Sequence, residues 1–281
     1  MPFLVALLVL AARSAAENPV TWKSGFGRAA LWDDGKAEVS VYEARDLREG
    51  IPRTSRAVLI VVAEDLLPNA LVKADRPGET SLTRRVLKLN HVRDIPTGVY
   101  TYQQMLSAFL AADRLDPVKL TMTSHEWCGN SFAEWRVDRA SLAIRSYFEE
   151  PGDVDVALSP GDAVFYDSLP LTLRGLDFER TGSGTLRVIG SVFTSRPLPP
   201  SMETARLEVT RPAQSPPIYR VFLRRAEQSD VFDFETRFPH RLVRWDRADG
   251  GSLRRILSRR SRYWEENAPG DEKLLSPPVT R

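Results

Sequence analysis

Polar and apolar residues alternate along much of the chain with the period of a β-strand. Residues 36–42 read Lys-Ala-Glu-Val-Ser-Val-Tyr. That order puts Ala37, Val39 and Val41 on one face and Lys36, Glu38, Ser40 and Tyr42 on the other. Residues 86–90 and 118–122 alternate in the same way. Residues 57–63, Ala-Val-Leu-Ile-Val-Val-Ala, are continuously apolar and rich in β-branched side chains. Such a run predicts a central strand buried on both faces. Further short strands are predicted over 186–193, 205–209, 219–223 and 231–236, separated by Gly182-Ser183-Gly184 and by the Pro-rich run 212–217. Two stretches predict helix: 102–112, and 162–174 with an interruption at Pro170.

The fold class that follows is mainly β: a curved antiparallel sheet or open barrel-like sandwich with one or two short helices. Two segments, 196–200 and 212–217, hold several prolines. Proline lacks a backbone donor, so neither segment sits inside a central strand. A boundary near residue 178 would divide the chain into two β lobes; one curved sheet with long connections satisfies the same pattern. The polar, Pro-containing stretch 267–281 reads as a flexible tail behind an exported β domain over 17–266.

The first residues change the picture. Phe3 to Ala12 is an apolar run too short for an ordinary membrane-spanning helix. Ser14-Ala15-Ala16 then supplies the small residues of a cleavage site. Residues 1–16 therefore read as a signal peptide, and the expected location is periplasmic or secreted. No later apolar run is long enough to span a membrane, so the mature chain is expected to carry no transmembrane segment. The lone cysteine, Cys128, lies too far downstream to be a lipid-attachment site and has no partner for an internal disulfide. Stability must come from the core. With 42% hydrophobic and 27% charged residues the composition is that of a folded globular protein, and a net charge of +2 gives no basic field for nucleic acid.

Several segments resemble an uncharacterised family of exported bacterial proteins related to the periplasmic domains called DUF3108. They are Gly35-Lys36-Ala37-Glu38 with Tyr42, Ala63-Glu64-Asp65, Val72-Lys73-Ala74-Asp75, and Val86-Leu87-Lys88-Leu89-Asn90. Thr97-Gly98-Val99-Tyr100 with Tyr102, Glu126-Trp127-Cys128-Gly129 and Tyr147-Phe148 follow in order. Phe238-Pro239-His240 with Trp245, and Tyr263-Trp264, complete the set, which covers most of 33–267. The resemblance implies an exported, mostly β protein and implies no activity. Relatives sometimes carry a Maf-type septum formation inhibitor label. Genuine Maf proteins have an N-terminal Ser-Pro-Arg-Arg signature, and this chain contains no such tetrapeptide.

The densest candidate chemistry is Ser124-His125-Glu126-Trp127-Cys128-Gly129-Asn130. A nucleophilic Cys128 needs a base and an orienting group, and His125 and Glu126 are the residue types for it. On a strand, however, His125 and Cys128 point to opposite faces. The bland reading is a buried structural node in which Cys128 packs beside Trp127 and Glu126 bonds a nearby Arg or backbone group. The three histidines, His91, His125 and His240, have no short ligand spacing, so no metal site is assigned. Arg254, Arg255, Arg259, Arg260 and Arg262 form a locally basic stretch: a binding surface for an anionic envelope component such as a phospholipid head group, or a solvated edge strand whose charges discourage aggregation. Nucleotide-binding and serine-hydrolase signatures are absent and no cofactor is called for.

The expected function is thus non-enzymatic: a cell-envelope protein that binds a hydrophobic or envelope-derived ligand, a lipid among them, or an envelope protein partner. The alternative is a hydrolase with Cys128 as nucleophile, and a third reading is a scaffold that pairs through a sheet edge.

Overall fold

The computed structural model describes residues 20–76 and 82–277. The expected signal segment 1–16 and the last four residues lie outside them. Sixteen strands form one sheet. In chain order they are β1 (Ala37–Arg48), β2 (Ile51–Leu67), β3 (Val72–Lys73), β4 (Arg84–Pro96), β5 (Thr101–Ala111), β6 (Pro117–Glu126), β7 (Gly129–Arg136) and β8 (Ser141–Ser146), then β9 (Val154–Ala157), β10 (Val164–Phe165), β11 (Ser183–Ile189), β12 (Met202–Thr210), β13 (Ile218–Arg225), β14 (Gln228–Glu235), β15 (Leu242–Asp246) and β16 (Ser252–Ser261). The spatial order runs from β10 up to β16, then β1, β2 and β4 through β9, with β3 paired on β2. Every pairing is antiparallel except β10 with β11. The two free edges, β9 and β10, are consecutive in the chain, so the sheet curls round without closing into a barrel.

One hydrophobic core takes side chains from both halves of the sheet, among them Leu59, Leu89, Leu106 and Trp135 from one half and Leu207, Val221, Phe232 and Leu253 from the other. Its inner face is filled by a plug. Residues 163–176 are buried throughout. They contain the one α-helix among the described residues, α1 (Leu169–Thr172), flanked by 3-10 turns at Tyr166–Ser168 and Leu173–Gly175. Pro170 sits in the first turn of α1, where its missing N–H costs nothing, rather than interrupting a longer helix. Arg174 ties the plug to the wall by a two-pronged bond to Glu38 of β1 at 2.9 and 3.0 Å.

The predicted helix over 102–112 is instead β5. The segment is apolar enough to satisfy either period, and pairing with β4 and β6 along its length decides the matter. Residues 57–63 lie in β2, between β1 and β4, as a central strand does. Ala57, Leu59 and Val61 face the core. Val58, Ile60 and Val62 face outward with Ala37 and Val39, where Tyr263 and Leu275 of the C-terminal segment pack against them. In β1 the apolar row thus points outward, and Glu38, Ser40 and Tyr42 point in. Tyr42 compensates by donating its hydroxyl to the Leu242 carbonyl at 2.9 Å. The strand expected over 186–193 ends at Ile189, because the chain leaves the sheet in a long loop to Met202 that holds the prolines at 197, 199 and 200.

Candidate functional site: an arginine-lined cavity at one end of the sheet

Antiparallel pairing places alternate connections at the same end of the sheet. The links β1–β2, β4–β5, β6–β7, β8–β9, β11–β12, β13–β14 and β15–β16 therefore share one end, called here the mouth. Toward the mouth the inward rows change from apolar to polar. In β4 the row Leu87, Leu89 continues as His91, Arg93, Ile95; in β5 Leu110, Ala108, Leu106 leads to Gln104 and Tyr102; in β1 Ala44 gives way to Asp46 and Arg48. These residues, with Trp245 and Arg247 from β15 and the turn after it, surround a cavity of about 260 Å³. Its floor is the start of the plug, Tyr166 and Asp167, and its far wall is the β11–β12 loop through Phe193 and Ser195.

Three arginines meet there, and they are not equivalent. Arg93 is fully engaged: it donates to Gln104 Oε1 at 2.8 Å, to Asp46 at 3.1 Å and to the Phe193 carbonyl at 2.6 Å. Arg247 donates to the same Asp46 at 2.9 Å and to Asp249 at 3.2 Å. Burial pushes the Asp46 carboxyl up, but Arg93 and Arg247 outweigh it and hold the group below its ordinary value. Among the described residues Arg48 has only neutral partners, Ser195 Oγ and the Tyr102 hydroxyl, both at 2.7 Å, and lies over the Tyr102 ring at 4.3 Å. Its buried Nε has no partner among the described residues.

Two further groups are tuned by burial. His91 is pushed down from 6.5 to about 3, so its ring is neutral, and its buried Nε2 is also without a partner. It rests edge-on against Phe193 at 5.0 Å. Burial raises the Asp167 carboxyl, which accepts from Ser191 Oγ at 2.5 Å and from the Val192 amide at 2.9 Å. Arg93 and Arg247 share Asp46, Arg247 also reaches Asp249, and Asp167 is held by Ser191 and the Val192 amide, so Arg48 is the one guanidinium of the three with no carboxylate bonded to it among the described residues. The cavity is built to receive an anion, and its Tyr102, Phe193 and Trp245 rings can pack against an apolar or ring-shaped part beside it.

The residues singled out from the sequence lie elsewhere. Trp127 and Cys128 are the two turn residues between β6 and β7 and are exposed, not packed in a core. The expected node is thus reduced to Glu126, which is buried and accepts from the Cys128 amide at 3.3 Å. Glu126 raises the Cys128 thiol above its ordinary value, the reverse of nucleophile activation. His125 bonds Asn130 across the strand pair. His240 is buried beside Phe178 and Tyr219. Among the described residues no group of three or more His, Cys, Asp or Glu side chains is arranged to hold a metal ion. β16, which carries the basic stretch, is not an edge strand, since it pairs with β15 on one side and β1 on the other. Its arginines each face a carboxylate: Arg254 with Asp246, Arg255 with Glu235, Arg259 with Glu266, Arg260 with Asp34 and Arg262 with Glu265. No helix among the described residues is long and apolar enough to cross a membrane.

Asp46, Arg48, Arg93 and Arg247 carry no local motif that marks them, and His91 stands in the sequence as a lone histidine. The signal for two of them was available: His91 and Arg93 continue an alternating apolar row inside a strand, where a solvated residue has no place.

No protein-family model matches the sequence, the DUF3108 group included, and no curated protein matches it. Among solved structures, a β-barrel-like protein of the domain of unknown function DUF1849 from Brucella abortus aligns at a TM-score of 0.47 and 9% identity, over 80% of this chain and 98% of that one.

Proposed function

We propose that this is a non-enzymatic cell-envelope protein that binds a small anionic ligand, or the anionic head of a larger one, in the mouth cavity. The carrying observation is Arg48. A half-buried guanidinium whose partners among the described residues are all neutral, beside two arginines that share Asp46, is a cation with no carboxylate bonded to it in a place partly shielded from water. A bound carboxylate or phosphate would accept from Arg48 Nε, and His91 Nε2 would offer a neutral second contact. At about 260 Å³ the cavity is smaller than the roughly 300–1,000 Å³ of sites for drug-sized ligands, which favours a metabolite or a head group. The leader-like residues 1–16 support the envelope location.

Thermal unfolding with glycerol 3-phosphate, and with glycerol as the neutral control, tests the site. A saturable rise in Tm with the phosphate alone, lost in Arg48→Gln, is the expected result. No saturable response to any small phosphate or carboxylate would remove the cavity as a ligand site. For location, N-terminal sequencing of protein from its native cell is expected to begin at or near Glu17, and an intact Met1 would end the export reading.

A further inference from the structure

We infer that the mouth end docks on a lipid bilayer containing anionic phospholipid, with loop tips in the interface and a head-group phosphate at Arg48. The tips carry the inference. Five of the seven connections at this end present an exposed apolar or aromatic side chain: Ile51 after the β1–β2 turn, Val99 (81% exposed) between β4 and β5, Trp127 (75%) between β6 and β7, Tyr147 (70%) between β8 and β9, and Leu198 between β11 and β12. Five of the seven loops at one end of the sheet carry apolar tips, which is what an interfacial surface requires and what an isolated exposed residue does not explain.

The aromatic tips are also wired to the cavity. Trp127 stacks on Tyr100 with centroids 5.9 Å apart and planes at 28°, and Tyr100 meets Tyr102 at 5.6 Å. Tyr102 in turn accepts from Arg48. A ring ladder thus runs from bulk solvent to the Arg48 cation. Trp and Tyr favour the depth at which lipid head groups meet acyl chains, and Arg favours phosphate. The cavity holds a head group and is too small for acyl chains, which would stay in the bilayer while the protein sits on its surface. Glu49, Glu149 and Glu150 share the rim, so the attraction comes from the cavity cation and the tips rather than from a broad basic field. The opposite end also exposes apolar side chains, Leu82, Val72 and Val137, but the exposed ring of Phe238 there is held against Phe26 and His240 instead of standing free.

The head-group half of this inference rests on the anion reading of the cavity; the docking half does not, and the experiment separates them. Full-length mature protein is sedimented with phosphatidylcholine vesicles, with and without phosphatidylglycerol. The wild type is expected to sediment preferentially with the phosphatidylglycerol vesicles. A Val99→Ser, Trp127→Ser, Leu198→Ser triple variant is expected to lose partitioning by roughly tenfold or more, while keeping the glycerol 3-phosphate shift in Tm, which shows that it is folded and its cavity intact. Arg48→Gln is expected to abolish the preference for phosphatidylglycerol. Sedimentation that depends on the tips in a protein with no glycerol 3-phosphate response would support docking and overturn the cavity reading alone. No sedimentation with either vesicle, partitioning unchanged in the triple variant, or tip-dependent binding of a soluble acidic polysaccharide without vesicle binding would overturn the docking inference.

Discussion

Arg174 of the plug and Glu38 of the wall face each other as a two-pronged ion pair in which both side chains are 3% exposed. Arg174 also donates to the Pro239 carbonyl at 2.9 Å and lies near the faces of Phe26 and Trp32. One guanidinium therefore joins the plug, β1, the β14–β15 turn and the N-terminal segment. Removing it leaves a buried carboxylate whose remaining partner, Arg241, is half-exposed. Arg174→Met is expected to cost about 3–5 kcal/mol in urea unfolding. The Glu38→Leu, Arg174→Met double variant is expected to recover part of that loss, because no buried carboxylate is then left short of a partner. A single variant as stable as the wild type would mean that the plug is held by its leucines alone.

His91 predicts a pH dependence. Burial holds its folded pKa near 3 against an ordinary 6.5. Between those values the unfolded chain binds one proton more than the folded one, so this ring's contribution to stability declines as pH falls, by about 1.4 kcal/mol per pH unit. His240 is also lowered by burial and acts in the same direction; Asp167, raised by burial, acts in the opposite one. In His91→Asn the stability curve from about pH 6 to pH 4 is expected to be flatter than the wild type's by about that slope. Identical slopes would show that His91 titrates normally in the folded protein.

Cys128 predicts a sluggish thiol at an open site. The side chain is exposed, but Glu126 makes its thiolate unfavourable. Iodoacetamide is expected to label the folded protein to completion at neutral pH, more slowly than it labels glutathione, and Glu126→Gln is expected to speed the reaction at constant pH. Cys128→Ser is expected to leave the urea midpoint unchanged. Labelling faster than glutathione would return Cys128 to consideration as a nucleophile.

Where strand identity rests on local alternation, it was legible in the sequence. The residues of β1, β4 and β6 announce their strands through a two-residue period, and those of β2 through an unbroken apolar, β-branched run. Which side of a strand faces the core was harder to read. Ala37 and Val39 look like part of the core row, yet they point outward beneath Tyr263 and Leu275, while Glu38 and Tyr42 face the interior and find partners there. That choice depends on Arg174, far away in the chain, and no local pattern contains it. β5 was misread for a related reason, since its apolar run fits two periods and only its neighbours select one. The cavity was the least legible element. Its residues come from positions 46–48, 91–95, 102–104, 166–167, 191–195 and 245–249, and no window of sequence holds more than a fragment. Trp127 and Cys128 drew attention because they are rare residue types standing together, but a two-residue turn exposes whatever occupies it.

The pairing of β1 with β16 sets the kinetic character of folding. Ser40 and Ser258 meet hydroxyl to hydroxyl at 2.8 Å across 218 positions of chain, whereas most other antiparallel pairings join strands that are successive or nearly so. Hairpins on either side can zip independently, each closing a short loop, but the two halves share a wall only after a chain segment of more than two hundred residues has been drawn shut. The entropic toll of that closure grows only slowly with length, yet it falls due before the shared core repays it. Assembly should therefore proceed as two growing ribbons, with the seam beside β1 the last to form.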